Sequence, residues 1–239
     1  MLLALLLAAA QPTAPVAAPA PAAAVRPDAM ELVGVLNPEG PMVDMVVRTF
    51  TDSMRSVVET NEDYQELERD YPGISRAIVD AMAQAMRADL IADLPVNHRR
   101  YARFYAERFT PGEIAELIRF YSSSAGQRLI AAKFAKLDAK PLMEEFAENP
   151  ESQVSQQHIR DMNRAATSSI IGEMSADDRN ALLIFARTPV FVKVTAARGS
   201  MEELEAQIAN EPDPALDKAL EEAANSVIEK FTGKKSGAQ

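Results

Sequence analysis

"FTPGEIAELIRFYSSSAGQRLIAAKF", residues 109–134, is the stretch whose reading decides the fold. Thr110-Pro111-Gly112-Glu113 has the form of a capping box. The Thr110 hydroxyl can accept from the third amide of a helix, Pro111 suits its first position, and Glu113 can reach back to the cap amide. Ile114, Leu117, Ile118 and Tyr121 then recur at i, i+3, i+4 and i+7, which puts them on one helical face. Burying side chains of this kind is worth roughly 1.5–3 kcal/mol each before entropy, so the stripe fixes how the helix sits. Ser122-Ser123-Ser124 ends the helix, and Ser124 with Gln127 offers a second capping box. Leu129, Ile130, Phe134 and Leu137 carry the partner helix. The serines therefore have a capping role, and no Gly-x-Ser-x-Gly or Ser-x-x-Lys pattern marks one as a nucleophile.

The pattern returns 65 residues further on. "MSADDRNALLIFARTPVFVKVTAAR", 174–198, aligns without a gap on 109–133. Thr110 meets Ser175, Glu113 meets Asp178, Leu117 meets Leu182, Phe120 meets Phe185, Ser123 meets Thr188 and Arg128 meets Lys193. Few positions are identical, yet caps meet caps and core positions meet core positions. Two related helical hairpins, about 109–133 and 174–198, are the expected reading. It also makes "TPVFVKV", 188–194, a helix despite its strand-like composition.

The rest of the chain follows the same grammar. Met42, Val46, Phe50, Met54 and Val58 step by four, as do Ile74, Ile78, Met82, Met86, Leu90 and Leu94. Tyr71-Pro72-Gly73 separates the two rows, and Leu94-Pro95 is expected to end the second helix. A third helix, "VNHRRYARFYAERF", turns Tyr101, Phe104, Tyr105 and Phe109 inward and Arg99, Arg100 and Arg103 largely outward. Ile159, Met162, Ala166, Ile170 and Met174 mark another helix; Leu216, Leu220, Ala224, Val227 and Phe231 mark the last. The expected fold class is all-α, a multi-helix array of antiparallel hairpins in a single domain over residues 28–232, with 233–239 as a disordered tail.

The run "YARFYAERF" followed by "FTPGEIAELIRFYSSSAGQRL" resembles the core of the bacterial domain of unknown function 2059 family. Phe109-Thr110, Glu113, Phe120-Tyr121, Ser124, Gly126 and Gln127 fit its pattern of "F-T-x-x-E-L" and "F-Y-x-S-P-x-G-Q". Ala125 stands where that pattern has Pro, and Ile114 where it has Leu. The resemblance covers about 40 residues, 97–137. It implies an exported, helical, mostly Gram-negative protein, and it brings no catalytic residues.

"MLLALLLAAA" opens the sequence and "QPTAPVAAPAPAAAVRP" follows. The apolar run fits the h-region of a secretory signal and is too short to span a bilayer. A basic n-region is missing, the first charged side chain being Arg26. Small-residue cleavage patterns occur at Ala8–Ala10 and Ala22–Ala24. Residues 1–27 are expected to be a signal-like segment and an Ala/Pro tether that cannot bury a face. With no Cys in the chain there is no disulfide framework. The expected location is the periplasm.

The 239 residues carry 25 Lys and Arg against 35 Asp and Glu, a formal charge of −10. Such a chain repels phosphate backbones, which disfavours nucleic acid as partner. His98 and His158 are the candidates for acid–base or metal work, but neither sits in a ligand spacing such as His-Glu-x-x-His. Glu113 and Glu116, one helical turn apart, imitate a hydrolase pair and read better as a cap and a solvated side chain. Asp177-Asp178 and Glu202-Glu203 are placed near helix starts, where they complement the dipole. No catalytic, metal or cofactor-binding residue is assigned, and no cofactor is expected. "NHRRYARFYAER" is the one basic island, and its Arg99, Arg100 and Arg103 form the candidate interaction surface, with internal pairing to the acidic body as the expected alternative. The expected function is an exported binding or scaffolding module with an envelope or protein partner. The alternative is an envelope hydrolase whose carboxylates and histidines meet only in the fold. A cleft joining His98 or His158 to carboxylates would mark the hydrolase, and a shallow apolar groove the binder.

Overall fold

The computed structural model describes residues 25–138, 142 and 152–233. Ten α-helices occupy them, and no strand is found among the described residues: α1 (Pro27–Leu36), α2 (Glu39–Thr60), α3 (Glu62–Asp70), α4 (Ile74–Arg108), α5 (Pro111–Tyr121), α6 (Ser124–Lys136), α7 (Gln156–Glu173), α8 (Ala176–Ala186), α9 (Pro189–Ala209) and α10 (Pro214–Thr232). The fold is all-α, and "TPVFVKV" lies at the start of α9 as the repeat required. The expected signal segment and most of the tether (1–24) lie outside the described residues, as does the tail from 234 onward.

Helix α4 is the spine, about 52 Å long at 1.5 Å per residue. It begins after Gly73, whose φ of 90° is a left-handed turn that glycine adopts without strain. The expected break at Leu94-Pro95 does not occur: Pro95 sits inside the helix. Pro95 and Ile91 are both solvent-exposed, so the carbonyl that loses its hydrogen bond lies on the wet face, while Leu94 is buried beside it. Packing on both halves of α4 carries the helix through. Its first half meets α2 and α10, where Met54, Ile74, Ile78, Met82, Ala224 and Val227 form one core. Its second half meets α1, and there Ala29, Leu32 and Val33 join Ala102, Phe109, Ile114, Leu117, Phe185 and Val190 in a second core.

The echo in the sequence is an echo in space. The last half of α4 and α7 end 65 residues apart, at Arg108 and Glu173, so the repeat includes a helix ahead of the expected pair. Helices α5 and α8 start and stop at the same offset, and α6 and α9 start at it. Thr110 and Ser175 are the N-caps, and Ser122-Ser123 and Arg187-Thr188 are connectors of one conformation, a helical residue followed by an extended one. The connector sets the angle: α8 and α9 meet at 85°, a corner in place of the expected antiparallel hairpin. The second cap of the first unit is Ser123, whose hydroxyl accepts from the Gly126 amide at 3.2 Å. The expected cap, Ser124, is the first helical residue, and Gln127 donates to the Tyr121 carbonyl instead.

The two units face each other reciprocally. Lys193 Nζ donates to both oxygens of Glu113 at 2.8 and 2.7 Å, and Arg128 Nε donates to both oxygens of Asp178 at 3.1 and 3.0 Å. Glu113 and Asp178 are equivalent positions, and so are Arg128 and Lys193. Each unit thus offers its acid to the other unit's base, the pairing that a twofold relation produces. The equivalent rings Phe120 and Phe185 stack on one another with centroids 3.9 Å apart and planes 8° apart. A residue stacked on its own equivalent lies where the twofold axis passes.

Candidate functional site

The arginine face divides. Arg100 pairs with Glu211 at 2.7 Å, the internal pairing expected for it. Arg99 and Arg103 are exposed and make no ion pair among the described residues. Beneath them Phe104 and Phe109 are buried, and burial raises the Tyr101 and Tyr105 hydroxyl pKa values well above the usual range. The helix is therefore held firmly by its aromatic side. Arg100 and Arg103 line a groove of about 440 Å³ between α4 and α9, together with Arg108, Glu203 and Glu211.

Among the other candidates, His158, Glu113 and Asp178 have structural partners. His158 is the third helical residue of α7 and completes a capping box, its Nδ1 accepting from the Ser155 amide at 3.1 Å. His98 is part-buried, and its Nε2 has no hydrogen-bond partner among the described residues; burial lowers its pKa, against a smaller opposing effect of the Asn37 backbone. Glu113 closes the box predicted for it, accepting from the Thr110 amide at 2.7 Å. Its pKa is lowered, first by Lys193 and then by that amide. Asp178 is lowered in the same way, first by Arg128 and then by the Ser175 hydroxyl. Three carboxylates do converge through the fold: oxygens of Asp89, Asp93 and Asp213 lie within 4.8 Å of one another. Burial and then its two neighbours raise the Asp89 pKa. Asp213 is already engaged as the N-cap of α10.

Glu202 differs from its expected place. It lies in the middle of α9, 2% exposed, and binds Arg160 of α7 and Arg198 of its own helix. A second cleft of about 320 Å³ opens beside it between α7 and α9. Neither cleft is lined by a histidine, and both are charged, so neither the hydrolase pattern nor the shallow apolar groove describes them. The exposed apolar side chains lie elsewhere. Ile171 is 48% exposed and Leu183 53% exposed, near the ends of α7 and α8. Their equivalents in the first unit, Ala106 and Ile118, are packed in the core that α1 completes. Sequence periodicity could not separate these cases, because Leu183 falls in the same apolar row as Ile118 and only the covering helix differs.

The family model described as "Uncharacterized protein conserved in bacteria (DUF2059)" matches residues 98–139. That span holds the last turns of α4 with α5 and α6, the first of the two units, and agrees with the resemblance carried by its motif. No curated protein and no solved structure matches the chain. Among the described residues, no single helix is long and apolar enough to cross a membrane.

Proposed function

We propose that this protein is an exported, periplasmic binding module that holds an apolar helix of a partner protein over the α7–α8 face. One observation carries the reading. In the first unit α1 packs across α4 and α5 and covers Ala106 and Ile118, whereas Ile171 and Leu183 at the equivalent positions stand in solvent. Exposed apolar side chains at positions that the matching unit buries are the kind of surface a partner covers. The twofold relation supplies the shape of the occupant, an amphipathic helix seated as α1 is seated. Export rests on the apolar opening run and the Ala/Pro segment. A second reading, an acidic partner on Arg99 and Arg103, is favoured by their lack of ion pairs in a chain of charge −10.

Crosslinking in intact envelopes separates these readings. Ile171→Glu with Leu183→Glu changes two exposed residues, so the melting temperature should hold while the crosslinked partner is lost. Arg99→Glu with Arg103→Glu should leave capture intact; loss of the partner with this pair alone would transfer the site to the arginine face. A partner retained in both variants would overturn both readings. Mass spectrometry of the exported chain should place the mature N-terminus between about residues 10 and 28.

A further inference from the structure

The cleft between α7 and α9 is built around one buried acid. Glu202 accepts from Arg160 Nε at 3.1 Å on one oxygen and from Arg198 Nε at 3.0 Å on the other. A guanidinium held by its Nε keeps its two terminal amino groups for something else. Those of Arg198 make no hydrogen bond among the described residues, and Arg160 makes only a long one, 3.4 Å to Gln157. Arg164, a turn along α7 on the same face, is a third cation, its nearest carboxylate at 3.8 Å and so beyond hydrogen-bond reach. All three arginines line the cleft together with Ser168 and Thr195.

The donor inventory selects the ligand. The Thr195 hydroxyl donates to the Phe191 carbonyl of its own helix at 2.9 Å, leaving only acceptor capacity toward the cleft. Ser168 makes no such bond among the described residues. Donors are therefore guanidinium forks and one hydroxyl, a set matched to the oxygens of a phosphoryl group, which arginine grips through paired N–H bonds. The three arginines outnumber the two carboxylates beside them, Glu202 and, at 3.8 Å from Arg164, Asp161, so the cleft keeps a positive excess that an anion neutralises. A cavity near 320 Å³ sits at the small end of ligand pockets, too small for a folded partner.

We propose that the α7–α9 cleft binds a small phosphorylated anion, gripped by Arg160, Arg164 and Arg198, with Glu202 as the positioning residue that holds two of the three. The site is separate from the apolar α7–α8 face, so either proposal can fail without the other. It differs also from the α4–α9 groove, where Arg100 is already paired to Glu211.

Calorimetric titration of the full chain at constant ionic strength, which fixes the screening, tests this with three probes: inorganic phosphate, glycerol phosphate and phosphatidylglycerol vesicles. Removing Arg160 or Arg198 would strand the buried Glu202, so the variants are Arg164→Ala, which touches no buried group, and Arg198→Lys, which keeps the charge beside Glu202 and loses the fork. One-to-one binding of a soluble phosphate, about tenfold weaker in each variant as the loss of one charged hydrogen bond requires, supports the site with a soluble ligand. Binding of the vesicles alone, weakened equally by both variants, supports it with a lipid headgroup as the source of the phosphoryl group. No binding of any probe, or binding unchanged in both variants, overturns it.

Discussion

The two units, the last half of α4 with α5 and α6 and then α7 with α8 and α9, share caps, connectors and a reciprocal ion-pair scheme, and they differ where it matters for binding. At the first corner Gly126 lies so close to the end of α5 that a Cβ would overlap the Phe120 carbonyl oxygen and crowd the Tyr121 backbone. At the second corner the same position holds Phe191, whose ring meets Phe185 edge-on at 5.5 Å. The last turns differ as well: the amide ending α5, that of Ser122, bonds back four residues to Ile118, while Arg187 at the end of α8 bonds back three to Ile184, a tighter turn. The first unit is therefore closed by backbone contact and the second by an aromatic side chain. The first is also capped by α1, with Arg26 donating to the Phe109 carbonyl at 2.9 Å. Among the described residues the second has no such cover. Two units of one pattern thus share a core and differ in cover: Ala106 and Ile118 of the first are packed, while Ile171 and Leu183 of the second are exposed.

The largest effect expected is at the shared stack. Phe185 is 4% exposed and touches Phe120, Tyr121 and Phe191, so Phe185→Ala should cost about 3–5 kcal/mol in urea unfolding. Phe120→Ala, at the half-buried equivalent, should cost clearly less; equal losses would erase the asymmetry between the units. Next comes the glycine corner. Gly126→Ala should destabilise by about 1–3 kcal/mol through overpacking, although alanine is the better helix former. A neutral or stabilising result would show that the corner is no tighter than its counterpart.

Smaller effects come from the caps. Thr110→Ala and Ser175→Ala each remove a hydroxyl that accepts from the third amide, worth about 0.5–2 kcal/mol. Thr110 should lie higher in that range, because Glu113 closes the box from the other side whereas the Asp178 carboxylate is given over to Arg128. A larger loss at Ser175 would reverse that ranking. The finest distinction is in pH. Glu113 and Asp178 both have lowered pKa values in the fold, so their contribution is present above the unfolded values of about 4.3 and 3.9 and is lost as pH falls through the lower folded values. The urea midpoint should therefore drop on the acid side of pH 4, and Glu113→Gln with Asp178→Asn should flatten that part of the profile. An unchanged profile would mean that the reciprocal pairs do not join the units.

Most of the helices were legible because their signals are local. A cap acts over three residues and an apolar row over four, so Thr110, Ser175 and the rows of α2, α7 and α10 could be read directly. Pro95 misled because a proline's cost depends on whether the freed carbonyl meets water or protein, which no local pattern reports. The placement of Glu202 near a helix start failed for the opposite reason, since α9 runs on well past the length suggested by its equivalent, α6. Helix α1 carried too short a pattern to stand out, yet Ala29, Leu32 and Val33 are fully buried.

By itself the sequence determined the helices, most of their ends and the existence of two equivalent units, since all of these follow from hydrogen bonds and side-chain spacing within a turn or two. The tertiary structure decided which unit α1 covers, which arginines are paired and which acid is buried. Arg128 and Asp178 are 50 residues apart, and Glu113 and Lys193 are 80 apart. Their meeting depends on the angle at which two corners pack, and that angle is set by the Phe120–Phe185 stack and the glycine contact acting together. A charge on a helix surface has the same local signature whether it faces water or another helix. Only the packing of the two units distinguishes Arg128, bound to Asp178, from Arg99, exposed and without an ion pair among the described residues.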